Sequence, residues 1–192
     1  YDRESNSVQE LYYIPSDVSY QVLKEQLGSL SYVSKDDLCY LLYGNRIYSI
    51  DLAGSEYQEI VTDVQPDSYY MNAAGSRLVW QAAGETNRIR VLNMDTGKVS
   101  EITAADGEYL KPVGFLQKDL VFGRGRTADI IKEAGVDKSW PLYEVDIVDG
   151  DTLEAEETYA YPNVYVTEVS LNSSRIEMKR IQKDDAGTIT EL

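Results

Sequence analysis

A four-residue pattern recurs along this chain and limits what it can fold into. A charged residue is followed by an aliphatic, then any residue, then a bulky one. It reads Asp37-Leu38-Cys39-Tyr40, Arg77-Leu78-Val79-Trp80, Asp119-Leu120-Val121-Phe122 and Arg175-Ile176-Glu177-Met178. Leu38, Leu78, Leu120 and Ile176 stand 40, 42 and 56 positions apart in turn. In each copy the aliphatic and bulky residues fall two apart, on one side of an extended strand. A second pattern follows each of the first three: Ile47-Tyr48-Ser49-Ile50-Asp51, Ile89-Arg90-Val91-Leu92-Asn93 and Leu142-Tyr143-Glu144-Val145-Asp146. Each ends in Asp or Asn with a glycine within four residues (Gly54, Gly97, Gly150). An Asx side chain followed by glycine supplies the cap and the turn freedom of a tight hairpin.

A polar-alternating strand then follows, at residues 57–62, 99–103 and 153–157, and an apolar segment precedes each charged-aliphatic strand, at residues 30–33, 69–71, 113–116 and 165–169. Four short strands in about 40–45 residues is the sequence signature of a β-propeller blade. A blade buries both faces only against neighbours. The expected fold is therefore all-β, with four-stranded antiparallel blades and one short helical insertion. Its parts are a half-blade at residues 8–27, blades at about 28–63, 64–105 and 106–160, and a partial blade at 161–192. In the half-blade, Leu11-Tyr12-Tyr13-Ile14 and residues 20–23 read as strands, and Ile189-Thr190-Glu191-Leu192 reads as the last strand. An open arc with further blades beyond Leu192 is favoured over a closed four-bladed ring. The start at Tyr1 reads as trimmed, which leaves room for a removed anchor or export signal.

The second repeat carries a family resemblance. Asn72-Ala73-Ala74-Gly75-Ser76-Arg77-Leu78-Val79-Trp80, then Ile89 to Leu92 and Asn93-Met94-Asp95-Thr96-Gly97-Lys98, is similar to the blade signature of TolB-like propellers. Ala73 and Ala74 stand where that signature has Pro and Asp. The resemblance implies the propeller fold and little about function, because propellers host enzymes, scaffolds and receptors alike.

Composition narrows the chemistry. The 192 residues contain no histidine and one cysteine, Cys39. Ser-His-Asp and Cys-His nucleophile systems cannot be assembled from them, nor can an internal disulfide or a CxxC site. No cofactor is expected. Cys39, in an apolar run, reads as a small buried hydrophobe. The net charge of −15 repels phosphate backbones and anionic lipid, so neither nucleic acid nor membrane insertion is expected. The 16 tyrosines suit half-buried strand faces, with an aromatic sugar- or peptide-binding platform as the alternative.

One insertion breaks the period. Phe122 to Leu142 spans 20 residues where Trp80 to Ile89 spans nine. Residues 123–135 read as a loop and then a short helix from about Thr127 to Ala134, with Thr127 as N-cap and Gly135 as the C-terminal glycine. The insertion, at about residues 124–140, is expected on one rim. There Trp140 and Tyr143 could stack on a sugar or peptide side chain while Arg124 or Arg126 forks onto a carboxylate. The competing reading has Trp140 packing the insertion down and the arginines neutralising nearby acids. Asp146, Asp149 and Asp151 around Gly150 are weak calcium candidates, against a solvated acidic hairpin. Gly123-x-Gly125-x-x-Ala128 lacks the βαβ setting of a dinucleotide fingerprint, and Asn172-Ser173-Ser174 matches a glycosylation sequon at chance level.

These readings favour a non-catalytic segment of a larger cell-surface or periplasmic protein, binding a protein or carbohydrate partner. The rival is an accessory or partial domain of a glycan-active or peptidase-linked propeller enzyme whose catalytic residues lie elsewhere. A structural spacer is the third.

Overall fold

The computed structural model describes residues 6–7, 18–34, 37–54, 56–64, 69–172, 175–184 and 188–192, with the side chains of 26–32 left aside. Leu11-Tyr12-Tyr13-Ile14 lies outside the described residues, as do Ser173, Ser174 and residues 185–187. The chain divides into two compact units, Tyr1–Val64 and Gln65–Leu192.

The first unit contains a helix, α1 (Tyr20–Gln26), and four strands: β1 (Leu27–Val33), β2 (Leu38–Tyr43), β3 (Arg46–Asp51) and β4 (Glu56–Val61). They pair antiparallel in the order β1-β2-β3-β4. The strand expected at residues 20–23 is instead the first turn of α1. Gln21, Leu23, Lys24, Glu25 and Gln26 lose little rotamer freedom in a helix, and Val22 is the only β-branched residue among them. Ser19 begins the turn, its carbonyl accepting from the Leu23 amide at 2.9 Å. Tyr40, Leu42, Ile47 and Val61 are buried on one face of this sheet and Ile50, opposite Cys39, on the other, with Val64 buried just beyond β4.

The second unit holds a blade of β5 (Tyr69–Met71), β6 (Arg77–Trp80), β7 (Arg88–Asn93) and β8 (Lys98–Thr103) in the order β5-β6-β7-β8. The next blade is β9 (Glu108–Leu116), β10 (Asp119–Arg126), β13 (Leu142–Val148) and β14 (Ala155–Tyr159), again antiparallel and sequential. A three-stranded portion follows: β15 (Val164–Asn172), β16 (Arg175–Lys183) and β17 (Ile189–Glu191). This is the blade architecture of a β-propeller. Among the described residues no helix is long and apolar enough to cross a membrane.

Of the eight repeat positions, Tyr40, Leu78, Trp80, Leu120 and Phe122 are buried, while Leu38, Ile176 and Met178 are half-buried. Two details differ from the sequence expectation. The last two copies share one hydrogen-bonded sheet rather than two, because Leu142 of β13 pairs with Val166 of β15. Cys39, not Leu38, is the counterpart of Leu78 and Leu120. Leu38 pairs with Asp51 as Arg77 pairs with Asn93, one residue out of step with the pattern. Cys39 itself is half-buried, and burial pushes its thiol pKa up.

A related slip affects the third hairpin. Its capping residue is Asp149, whose Oδ1 accepts from the amides of Asp151 and Thr152, both at 2.9 Å. Asp51 and Asn93 cap the other two hairpins in the same way. Asp146, three residues earlier, lies within β13 opposite Phe122.

Leu78 is fully buried in β6. Leu78→Ala is expected to cost about 2–5 kcal/mol through lost transfer and a residual cavity. Urea unfolding checks this, and a change below about 1 kcal/mol would contradict the assigned core.

Candidate functional site

The insertion contains no α-helix. β10 runs unbroken through Gly123 and Gly125 to Arg126, a single 3-10 turn covers Thr127–Asp129, and a hairpin of β11 (Ile131–Glu133) and β12 (Val136–Ser139) follows. Three local features override the helix reading. Ile130 and Ile131 are β-branched and favour an extended chain. Ala134 (φ 52°) and Gly135 (φ 82°) make a two-residue turn of the type that closes hairpins, so Gly135 is a turn glycine rather than a helix stop. Thr127 caps nothing. Its hydroxyl donates to the Gly107 carbonyl at 2.9 Å, tying the turn to the chain before β9.

The two glycines of β10 lie beneath large side chains. Gly125 pairs with Tyr109 across the β9–β10 ladder, and a Cβ on Gly125 would stand 2.1 Å from the Tyr109 ring. That ring is fixed. Its hydroxyl donates to the Pro141 carbonyl at 2.5 Å, and it meets the Trp140 ring in a T-shaped contact at 4.9 Å and 79°. Burial pushes the Tyr109 hydroxyl pKa well above the usual tyrosine range, with Asp129 adding to the shift. Trp140 is half-buried and packs against the core formed by Tyr109, Val121 and Leu142, as the competing reading has it.

Beside it lies an open groove of about 430 Å³, lined chiefly by Tyr109, Lys111, Lys138, Trp140, Thr86 and Gln81. Gln81 sets its floor: the side-chain amide donates to the carbonyls of Thr86, Arg88 and Leu110 at 3.1–3.2 Å, joining the two blades there.

Arg124, Arg126 and Tyr143 form a separate cluster on the opposite face of β10. Arg124 donates through Nε to Asp146 at 2.8 Å, pairs with Glu144 at 3.1 Å and lies 5.1 Å from the Phe122 ring centre. Arg126 stacks on Tyr143 at 3.9 Å. The Tyr143 hydroxyl donates to Glu108 at 2.8 Å. Arg124 and Tyr143 line a second cavity of about 340 Å³ with Glu144 and Asp146. Burial, and then Asp146, hold the Glu144 carboxyl above its usual range. The four aromatic and basic residues singled out in the sequence therefore fall in two places, with Trp140 apart from the rest.

The three acidic candidates do not converge. Asp146 is held by Arg124 and by the Thr158 hydroxyl at 2.7 Å. Asp151 accepts from Arg77 Nε at 2.7 Å and from Asn93 at 2.9 Å. Asp149 bonds Lys118, whose ammonium, with the turn amides, holds the carboxyl well below the usual carboxylate range. Asp149 does gather with Asp119 and Glu156, their oxygens within 4.8 Å of one another. Lys118 pairs with all three and supplies the cation there.

Sequence reasoning did not single out Tyr109, Lys111 or Gln81. The available signal was Gly125 in an otherwise bulky strand, since a strand glycine marks a close approach by another group.

No family model matches the sequence, and no curated protein matches it. Solved structures resemble it in fold. BamB from Moraxella catarrhalis is 10% identical, with 84% of this chain and 42% of that one covered at a TM-score of 0.39. TolB from Acinetobacter baumannii is 12% identical, with 84% and 42% covered at 0.36. The dihydro-heme d1 dehydrogenase NirN, in complex with DHE, is 15% identical, with 85% and 36% covered at 0.44. The chain spans less than half the length of each. The strand order within the sheets, not these scores, defines the fold.

Two measurements check this geometry. Gly125→Ala forces a methyl group into a ring that cannot move aside, and is expected to cost about 1–3 kcal/mol by urea unfolding. A neutral result would mean that Tyr109 is free to shift. The second concerns Tyr143, whose pKa is pushed up to about 12 by burial first and then by its bond to Glu108. Its unfolded value is about 10. The proton is held more tightly in the fold, so this contribution is complete below about pH 10 and is lost as pH rises through about 12. Tyr143→Phe is expected to flatten the decline of the urea midpoint across that window. Equal slopes would show that Tyr143 titrates as it does in the unfolded chain.

Proposed function

We propose that this chain is a non-catalytic β-propeller segment of a larger surface or periplasmic protein, taking a protein or glycan partner in the groove beside Trp140. The observation that carries the reading is the half-buried Trp140 in the lining of that groove. Its edge contact to Tyr109 and the bond from Tyr109 to Pro141 set its orientation before any ligand arrives. A rigid aromatic with few rotatable bonds gives contact area at little entropic cost. The added hairpin supports the same reading. The blade closes β10 on β13 without it, yet Lys138 and Ser139 of that hairpin line the groove. Arg124 and Tyr143 are occupied by internal partners and make poorer recognition groups, and Arg126 stacks on Tyr143 outside the lining of the groove.

Printed arrays of oligosaccharides and of short peptides, probed with the wild type and with Trp140→Ala, test this. Binding on one array is expected to fall at least tenfold in the variant. Trp140 also packs against the Tyr109, Val121 and Leu142 core, so Trp140→Ala loses burial as well as the edge contact, and binding is compared at a temperature where the variant remains folded. Trp140→Phe, which keeps a ring, is expected to bind at an intermediate level. Silence on both arrays, or binding unchanged in Trp140→Ala, would overturn the proposal.

A further inference from the structure

We infer that the Trp140 groove takes an anionic saccharide, a sugar chain carrying carboxylate or sulfate groups; this rests on the groove being a binding site and names its ligand class. Charge at the groove inverts that of the chain. The whole sequence has 33 acidic residues against 18 basic, yet the groove is lined by two lysines and no acid among the described residues.

The inversion follows from strand geometry. Tyr109 and Lys111 stand two apart on β9 and share a face, while Glu108 turns to the opposite face and bonds Tyr143. Lys111 is exposed and has no ion pair among the described residues. Lys138 pairs with Glu133 at 3.1 Å, but the two side chains are 67% and 72% exposed, so an arriving anion displaces that contact readily.

The remaining groups suit a sugar ring. Trp140 offers an aromatic surface for an apolar C–H face, and Thr86 and Ser139 bring hydroxyl groups to the lining. The volume of about 430 Å³ falls within the roughly 300–1,000 Å³ typical of small-molecule sites. Lysine ammonium groups are compact point charges on flexible stems, and they accept carboxylate or sulfate without the planar match an arginine fork requires.

The test is isothermal titration of the whole chain with three probes: a tetrasaccharide of glucuronate, a heparin-derived tetrasaccharide and neutral cellotetraose. Each is run on the wild type, Lys111→Gln, Lys138→Gln and the double variant, the three variants changed only at exposed positions. At least one acidic probe is expected to bind ten times more tightly than cellotetraose or better. The double variant is expected to lose at least tenfold toward that probe and little toward cellotetraose. Equal affinity for acidic and neutral probes overturns the anionic assignment and leaves the groove as a binding site. Acidic binding that the double variant leaves unchanged places the ligand elsewhere and also overturns it. If no tetrasaccharide binds while a peptide on the array does so through Trp140, the saccharide inference fails and the broader reading stands. If the arrays are silent as well, both fail.

Discussion

Between the β5–β8 blade and the β9–β14 blade, Val79, Ile89 and Val91 pack against Leu110, Leu120, Phe122 and Val148, all of them buried. A repeat unit cannot bury its apolar face alone, so each sheet covers the other there. On the far side of β10, Val121 packs with Tyr109, Leu142, Val145 and Val166. The central strand is thus apolar on both faces at three successive positions, Leu120, Val121 and Phe122. Polar contacts hold the first junction at both ends. At one, the Leu110 amide donates to the Thr86 carbonyl at 2.8 Å and Gln81 bridges the same two blades. At the other, Arg77 of β6 is only 12% exposed and reaches Asp151 in the hairpin of the next blade. The groove beside Trp140 opens at the Gln81 end, so its floor is fixed by the same contacts that join the sheets.

Burial on both faces also explains what the sequence did and did not disclose. Strand order and spacing within the β1–β4, β5–β8 and β9–β14 sheets were legible because each hairpin carries its own Asx cap and each blade its own apolar run, whereas α1 and the β11–β12 hairpin were not. Register was less so. Where a strand is buried on one side, alternation fixes the facing residue; where it is buried on both, the apolar run is continuous and a slip of one residue leaves no mark. Leu38-Cys39-Tyr40 begins a run that is apolar without a break in the sequence although β2 alternates half-buried and buried residues: the pattern aligned Leu38 with Leu78, yet Leu38 pairs with Asp51 and Cys39 takes that place. The shift from Asp146 to Asp149 has the same origin. β13 is seven residues long, and both acids are followed by Gly150 within the four-residue window that marks a hairpin.

The insertion failed differently. Its composition suits a helix in the middle and its final glycine suits a stop, but those cues are local, and the segment begins while β10 is still paired to β9 and β13. Gly123 and Gly125, read as loop flexibility, are strand positions where Leu142 and Tyr109 pass directly over the backbone. A glycine facing a large side chain across a ladder and a glycine in a loop look identical in a single sequence. Only the partner strand separates them, and Tyr109 lies 16 residues away in the chain.

Pairing within the blades sorts the charged residues by task. Arg124 is fixed by Glu144 and Asp146, Arg77 by Asp95 and Asp151, Lys118 by three carboxylates. Each sits where the backbone places acids close enough to repel one another, and the cation lowers that cost. With so large an acidic excess, most basic residues are drawn into such neutralising contacts. Among the described residues Lys24, Lys98 and Lys111 enter no ion pair, and Lys111 is set apart by its place in the lining of the groove. It shares its strand face with the tyrosine that orients Trp140. Sequence alone favoured the arginines because a fork is the better carboxylate ligand. The fold assigns the Arg124 fork to its own acids and stacks Arg126 on Tyr143, while the lining of the groove carries ammonium groups instead.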